Sequence, residues 1–246
     1  MKNKSVKEWV IMKKIIKQLI AFIMVVTMVV SEMPVMNAKA DESEAKYYDG
    51  FYYDINEDGE SVSIIGCDLS GDIVIPEEID GMKVTRIGGG EYFWYGGMDI
   101  YVTSVKLPES LTSIGAGTFS GCVRLTSINL PESLTGIGEY TFCRCSSLTS
   151  INLPESLTSI GKEAFSGCSS LLNIYIPAGV TEIAGNPFSG CTAVESIKVS
   201  TGNSKYDSRE DCNAIIYTSG PYSRLTVGCK NTKLPSDLTE NELSES

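Results

Sequence analysis

From Ser104 to Glu195 one pattern of apolar and polar positions recurs every 23 residues without a gap. In register the segments read SVKLPESLTSIGAGTFSGCVRLT (104–126), SINLPESLTGIGEYTFCRCSSLT (127–149), SINLPESLTSIGKEAFSGCSSLL (150–172) and NIYIPAGVTEIAGNPFSGCTAVE (173–195). Equivalent positions form apolar columns, among them Ile128 with Ile151, Leu134 with Leu157, Ile137 with Ile160, Phe142 with Phe165, and Leu148 with Leu171. One coil cannot bury so many apolar positions by itself, whereas stacked coils bury them against each other, as a solenoid requires.

Within a coil, Ser127-Ile128-Asn129-Leu130 alternates polar and apolar, which predicts a strand with Ile128 and Leu130 inward. Pro131 lacks an N–H and ends that strand. The pattern predicts a second short strand at Leu134–Ile137, a turn at Gly138, and a helical turn or irregular corner from Phe142 to Leu148. The expected fold is therefore a mostly-β repeat solenoid, with a parallel sheet, short second strands and short helical or irregular turns.

The pattern L-x-x-I-x-L-P-x-x-L-x-x-I-G-x-x-x-F-x-x-C resembles the BspA-like class of leucine-rich repeats found in bacterial surface proteins. The likeness runs from Ile73 to Val199, and the family's flanking segments extend it to Pro235. It implies a right-handed curved solenoid of the leucine-rich-repeat type, secretion, and the adhesion or host-protein binding found in some members. It brings no catalytic residues.

The first coil departs from the period. Pro76 to Pro108 spans 32 residues, nine more than a coil. Part of the excess lies around a turn at Ile79-Asp80-Gly81, and part around Tyr92-Phe93-Trp94-Tyr95. Tyr92, Trp94, Tyr95 and Tyr101 are either an exposed aromatic anchor for a partner, or one or two of them replace the Phe and Leu columns while the others shield the first coil. Upstream, Asp54 to Gly59 matches the opening of an EF-hand loop, but the twelfth position is Ile65 instead of the bidentate Glu. Asp58-Gly59 between alternating runs predicts a hairpin turn there.

Tyr206–Lys230 resembles the family's C-terminal hairpin. The runs ending at Cys212 and Cys229 lie symmetrically about Gly220-Pro221, and that register sets the two cysteines opposite each other, at disulfide range. Lys233-Leu234-Pro235 then reads as the start of another strand, as if a longer array stopped within a repeat. The expected organisation is a signal peptide at 1–40, a capping hairpin at 41–71, the solenoid at 72–199, a C-terminal capping segment at 200–235, and a polar tail at 236–246.

The signal-peptide reading rests on lysines through Lys17, an apolar run from Leu19 to Val30, and small residues at Ala38 and Ala40. The uncharged stretch from Gln18 to Ser31 is shorter than the ~20 residues that span a bilayer. After cleavage no membrane span is expected, and the mature chain should be secreted or extracellular and associated with the cell surface.

Charge and chemistry narrow the function. The chain carries a formal net charge of −11 and no histidine. Without the first forty residues, thirteen basic residues face twenty-nine acidic ones, a net of −16. Such a surface repels phosphate backbones, so no nucleic-acid partner is expected. Histidine-based nucleophile triads and histidine-bound zinc are excluded.

Four of the eight cysteines (Cys122, Cys145, Cys168, Cys191) are a repeat column, which favours stacked buried thiols over a metal cluster. Glu109, Glu132 and Glu155 form an acidic column expected to be solvated. The outward strand positions leave an accessible face, on which Lys106, Asn129, Asn152, Tyr175 and Lys198 are the candidate binding residues. The expected function is a monomeric, adhesin-like module for an unknown protein, glycoprotein or glycan ligand, with no cofactor, no metal and no catalysis. A structural spacer is the alternative, with an enzyme further behind.

Overall fold

The structure, a computed structural model, describes residues 45–88, 101–209, 212–219, 224–229, 231–233 and 235. The expected leader at 1–40 lies outside these residues, as do Tyr92, Trp94 and Tyr95 and the tail from 236.

The described part opens with three antiparallel strands, β1 (Lys46–Tyr48), β2 (Phe51–Ile55) and β3 (Ser61–Cys67). The EF-hand-like stretch is the turn between β2 and β3. There the Asp58 carboxylate accepts the Glu60 and Ser61 N–H groups at 2.9 Å, and Ile65 is buried. Strand β4 (Asp72–Val74) follows, and then β5 (Glu78–Ile79) and β6 (Met82–Ile87) form a hairpin. Its two turn residues, Asp80 at φ 52° and Gly81 at φ 80°, have the left-handed pair of angles that a tight hairpin needs.

The coils then contribute β7 (Ser104–Lys106), β8 (Ser113–Ile114), β9 (Gly136–Ile137), β10 (Ser159–Ile160), β11 (Asn173–Ile176), β12 (Glu182–Ile183) and β13 (Ser196–Val199). The C-terminal segment adds β14 (Tyr206–Asp207), β15 (Ala214–Tyr217) and β16 (Arg224–Gly228) as an antiparallel meander.

The short second strands carry the continuous sheet. It runs β1-β2-β3-β6-β8-β9-β10-β12, parallel from β3 onward, with Ile87, Ile114, Ile137, Ile160 and Ile183 in register. The strands before each proline pair only in pieces: β4 with β7, a single bridge between Asn129 and Asn152, and β11 with β13. Strand propensity accounts for the gaps. The fully paired β11 and β13 read NIYI and SIKV, rich in β-branched residues, whereas the two weakly paired coils have Asn-Leu at the same place.

The third side consists of irregular turns, and no α-helix occurs among the described residues. Of the two corner types anticipated, the irregular one is found. Here Phe119, Phe142 and Phe165 donate their N–H groups forward, to the carbonyls of Thr141, Ala164 and Pro187. On the second-strand side Gly115, Gly138 and Gly161 donate backward, to Ile87, Ile114 and Ile137. Each coil is thus stitched to its neighbours in both senses. A Cβ on Gly138 would come within 2.6 Å of the Ala116 nitrogen, so the glycine permits that close backbone approach.

The apolar columns fill one core. Phe119, Phe142 and Phe165 are fully buried, as are Leu111, Leu134 and Leu157, while Leu130 and Ile183 are only partly covered. Polar stitches follow the same period: Ser110, Ser133 and Ser156 donate their hydroxyls to the carbonyls of Val84, Leu111 and Leu134 at 2.6–2.8 Å. At the far end Asn203 Nδ2 donates to the carbonyls of Pro177 and Val180, and Tyr206 Oη accepts the Ile183 N–H, closing backbone groups of the last full coil.

Candidate functional site

The pleat sends Val105, Ile128, Ile151, Ile174 and Ile197 into the core, all at or below 9% exposure. Their neighbours necessarily point outward. Lys106, Asn129, Asn152, Tyr175 and Lys198 are all exposed and succeed one another coil by coil, so the structure brings these five sequence candidates into one row. Asn129 pairs with Asn152, and Tyr175 with Lys198, in parallel register. With coils about 4.8 Å apart, the row from Lys106 to Lys198 is about 19 Å long.

The row is chemically uneven. Tyr175 is 47% exposed. Neither lysine ammonium makes an ion pair or hydrogen bond among the described residues. Beside Lys106 a hollow of about 220 Å³ is lined by Glu109, Asn129, Leu130 and Pro131, giving one cation, one carboxylate and an apolar floor within a single depression.

The row also extends one coil further back than the sequence reading placed it. Val74 of β4 stands beside Lys106 and is 63% exposed. Next to it Asp72 accepts the Thr103 and Ser104 hydroxyls at 2.7 Å, and those two bonds, Ser104's first, hold its carboxyl below the usual range. The signal was present: Asp72-Ile73-Val74 alternates like Ser104-Val105-Lys106, but the 32-residue spacing hid it.

The acidic column is exposed but not idle. Glu77 accepts the Glu109 N–H on both oxygens at 3.1 and 3.2 Å, and Glu155 accepts the Ala178 N–H at 3.3 Å. Each of these carboxylates caps the backbone of the next coil.

None of the eight cysteines forms a disulfide. In the repeat column, Cys145, Cys168 and Cys191 sulfurs donate to the carbonyls of Phe119, Phe142 and Phe165 at 3.1–3.2 Å. Burial pushes the Cys145 thiol well above its ordinary value, which leaves it a poor nucleophile.

The expected opposition of Cys212 and Cys229 does not occur. A bulge between Ile215 and Ile216 shifts the β15–β16 register, so that Ala214 pairs with Gly228. Cys229 therefore stands beside Asn213, whose carbonyl accepts its S–H at 3.5 Å, while Cys212 is buried against Ala214 and Ile216.

Among the described residues no three His, Cys, Asp or Glu side chains converge as metal ligands, and no helix is long and apolar enough to cross a membrane.

Comparison with known proteins places this geometry. The model of the BspA-type leucine-rich repeat region matches residues 90–213 in six copies. A leucine-rich repeat protein of T. pallidum is similar in structure, with 31% identity and a TM-score of 0.58 over 63% of this chain and 71% of that one. One from Bacteroides ovatus shows 32% identity and a TM-score of 0.55 over 62% of this chain and 40% of that one. The pneumococcal vaccine antigen PcpA shares the fold at 18% identity and a TM-score of 0.51, over 71% of this chain and 54% of its own. No curated protein matches in sequence. With the repeat, the stacked coils and these likenesses in agreement, the chain belongs to the BspA-type leucine-rich repeat family.

Proposed function

We propose that the chain is an exported, cell-surface binding protein of adhesin type, which holds a protein or glycoprotein partner on its outer strand face. The observation that carries this reading is the exposed row from Lys106 to Lys198, with two ammonium groups unpaired among the described residues and an exposed tyrosine on a regular platform. Repeat solenoids use such extended surfaces for recognition. Export is supported by the leader-like order of lysines, apolar run and Ala38-Lys39-Ala40, which would give a mature N-terminus at Asp41. On this reading the protein works by binding and not by catalysis, as a monomer and without a cofactor.

The test presents the full chain, immobilised, to a panel of purified extracellular glycoproteins and glycans. Binding that weakens at least tenfold in the double variant Lys106→Glu, Lys198→Glu, with an unchanged circular dichroism spectrum, supports the strand face. Binding that survives the double variant and is lost on Trp94→Ala moves the site to the aromatic insertion. The absence of any binder favours the spacer. Intact-mass analysis of exported material tests the Asp41 start.

A further inference from the structure

Three columns at three-residue intervals flank and include the outward strand position. In two successive coils they are Thr126, Asn129 and Glu132, then Thr149, Asn152 and Glu155, all exposed. In the next coil the same three places hold Leu172, Tyr175 and Ala178. Leu172 is 45% exposed and Tyr175 47%, and Ala178 replaces the glutamate that would flank them. The core does not ask for these changes, because the inward positions of this coil, Ile174, Ile176 and Val180, are already buried. One coil has therefore exchanged three exposed polar residues for an exposed leucine, an exposed tyrosine and a half-buried alanine. Such a concentrated apolar patch marks an interaction site more often than a scatter of single residues does.

The charges around the stripe are asymmetric. Lys198 stands beside Tyr175 in the β11–β13 register, exposed, with its ammonium unpaired among the described residues. Glu195 occupies the Leu172 column one coil on, and the Glu155 carboxylate on the other side is engaged by the Ala178 N–H. A ligand thus meets an ammonium beside the tyrosine at the middle of the stripe.

We infer that the coil Leu172–Ala178, together with Lys198, is the docking point for a protein segment that presents a large apolar side chain next to a carboxylate. The inference rests on the strand-face reading and specifies its partner. Leu172 and Ala178 are aliphatic, so they suit apolar side chains, and the ammonium is complementary to an acid. A sugar would stack on Tyr175 and leave the other two unused.

The experiment selects a phage-displayed random dodecapeptide library on the full chain. The control is the triple variant Leu172→Thr, Tyr175→Asn, Ala178→Glu. It carries residues that the neighbouring coils already hold, so folding is preserved, and a urea melt checks this. Enriched peptides are expected to place Asp or Glu within a few positions of an aromatic or branched aliphatic residue. They should bind the triple variant at least about tenfold more weakly, the loss expected for hot-spot residues. Changing the peptide carboxylate to its amide should weaken binding to the parent chain, and Lys198→Gln should abolish that difference.

No enrichment, enrichment of basic peptides, or equal binding to the triple variant overturns the inference. Heparin binding that depends on the stripe, with no peptide enriched, overturns it in favour of a glycan. Peptides that ignore the triple variant but are lost on Lys106→Glu with Asn129→Arg leave the strand face standing and remove only this docking point. Peptides indifferent to both sets remove both.

Discussion

The ring of Phe142 lies 5.3 Å from that of Phe165, with the two planes 8° apart, and Phe119 and Phe188 extend the same stack at 5.2 Å. A residue in the middle of this ladder touches aromatic faces on both sides, so removing it opens a void that no single coil can close. Phe142→Ala is expected to cost about 3–5 kcal/mol, the range for truncating a buried Phe. Glu132→Ala, on the exposed column of the same coil, should stay within ~0.5 kcal/mol. Urea melts of the two variants measure the contrast, and a costlier glutamate change would mean that the inward register is wrong.

Serines six residues apart in one coil should behave differently. Ser133 donates its hydroxyl to the Leu111 carbonyl at 2.6 Å, and Ser127 lies exposed on the strand face. Ser133→Ala leaves the carbonyl of the buried Leu111 short of a donor and should cost about 1 kcal/mol. Ser127→Ala should be neutral within ~0.5 kcal/mol. Equal effects in thermal or urea unfolding would show that the hydroxyl ladder contributes nothing to stacking.

The N-terminal strands carry a pH-dependent contact. Tyr53 is buried and donates its hydroxyl to Asp80 at 2.5 Å, across from β2 to the β5–β6 hairpin. That bond, together with burial and the carboxylate's charge, raises the phenol from 10.0 to about 12. A raised value means that the folded chain keeps a proton which the unfolded chain gives up first. The contribution is therefore complete below pH 10 and is lost as pH rises toward 12. Unfolding midpoints at pH 9 and pH 11.5 should fall further in the parent than in Tyr53→Phe. The same drop in both would place the linkage elsewhere.

The inward columns were legible because stacking makes burial a property of position: Leu134 and Leu157 are buried for the same reason, and one register accounts for every coil. The relative strength of the two strands was not legible. Both alternate, and only the β-branched content of β11 and β13 against the Asn-Leu pairs separates them. On the surface, Tyr175 stood out by size alone. Leu172 and Ala178 did not, because their significance lies in an exposed leucine and a missing carboxylate at places where Thr and Glu stand in the preceding coil. Val74 and Asp72 were lost to the long first coil. The cysteine opposition failed because mirror symmetry about Gly220-Pro221 says nothing of a bulge that adds one residue to β16.

That bulge determines the last prediction. With Cys229 beside Asn213 and Cys212 turned against Ala214 and Ile216, the two sulfurs take different carbonyl partners, and the repeat cysteines donate to phenylalanine carbonyls of the preceding coil. Thiol titration in denaturant without reductant should therefore find eight free groups per chain, and six would restore a Cys212–Cys229 bond. Under native conditions Cys122, Cys145 and Cys168 are fully buried, whereas Cys67, Cys143 and Cys229 are partly open. Burial raises Cys67 to about 11, so partial exposure alone does not make it fast. Mass-mapped alkylation over time should label Cys229 early and the column of Cys122, Cys145 and Cys168 only as the chain unfolds. Early labelling of Cys145 would mean that the coils open locally, and the stacked core would then be less continuous than its aromatic ladder implies.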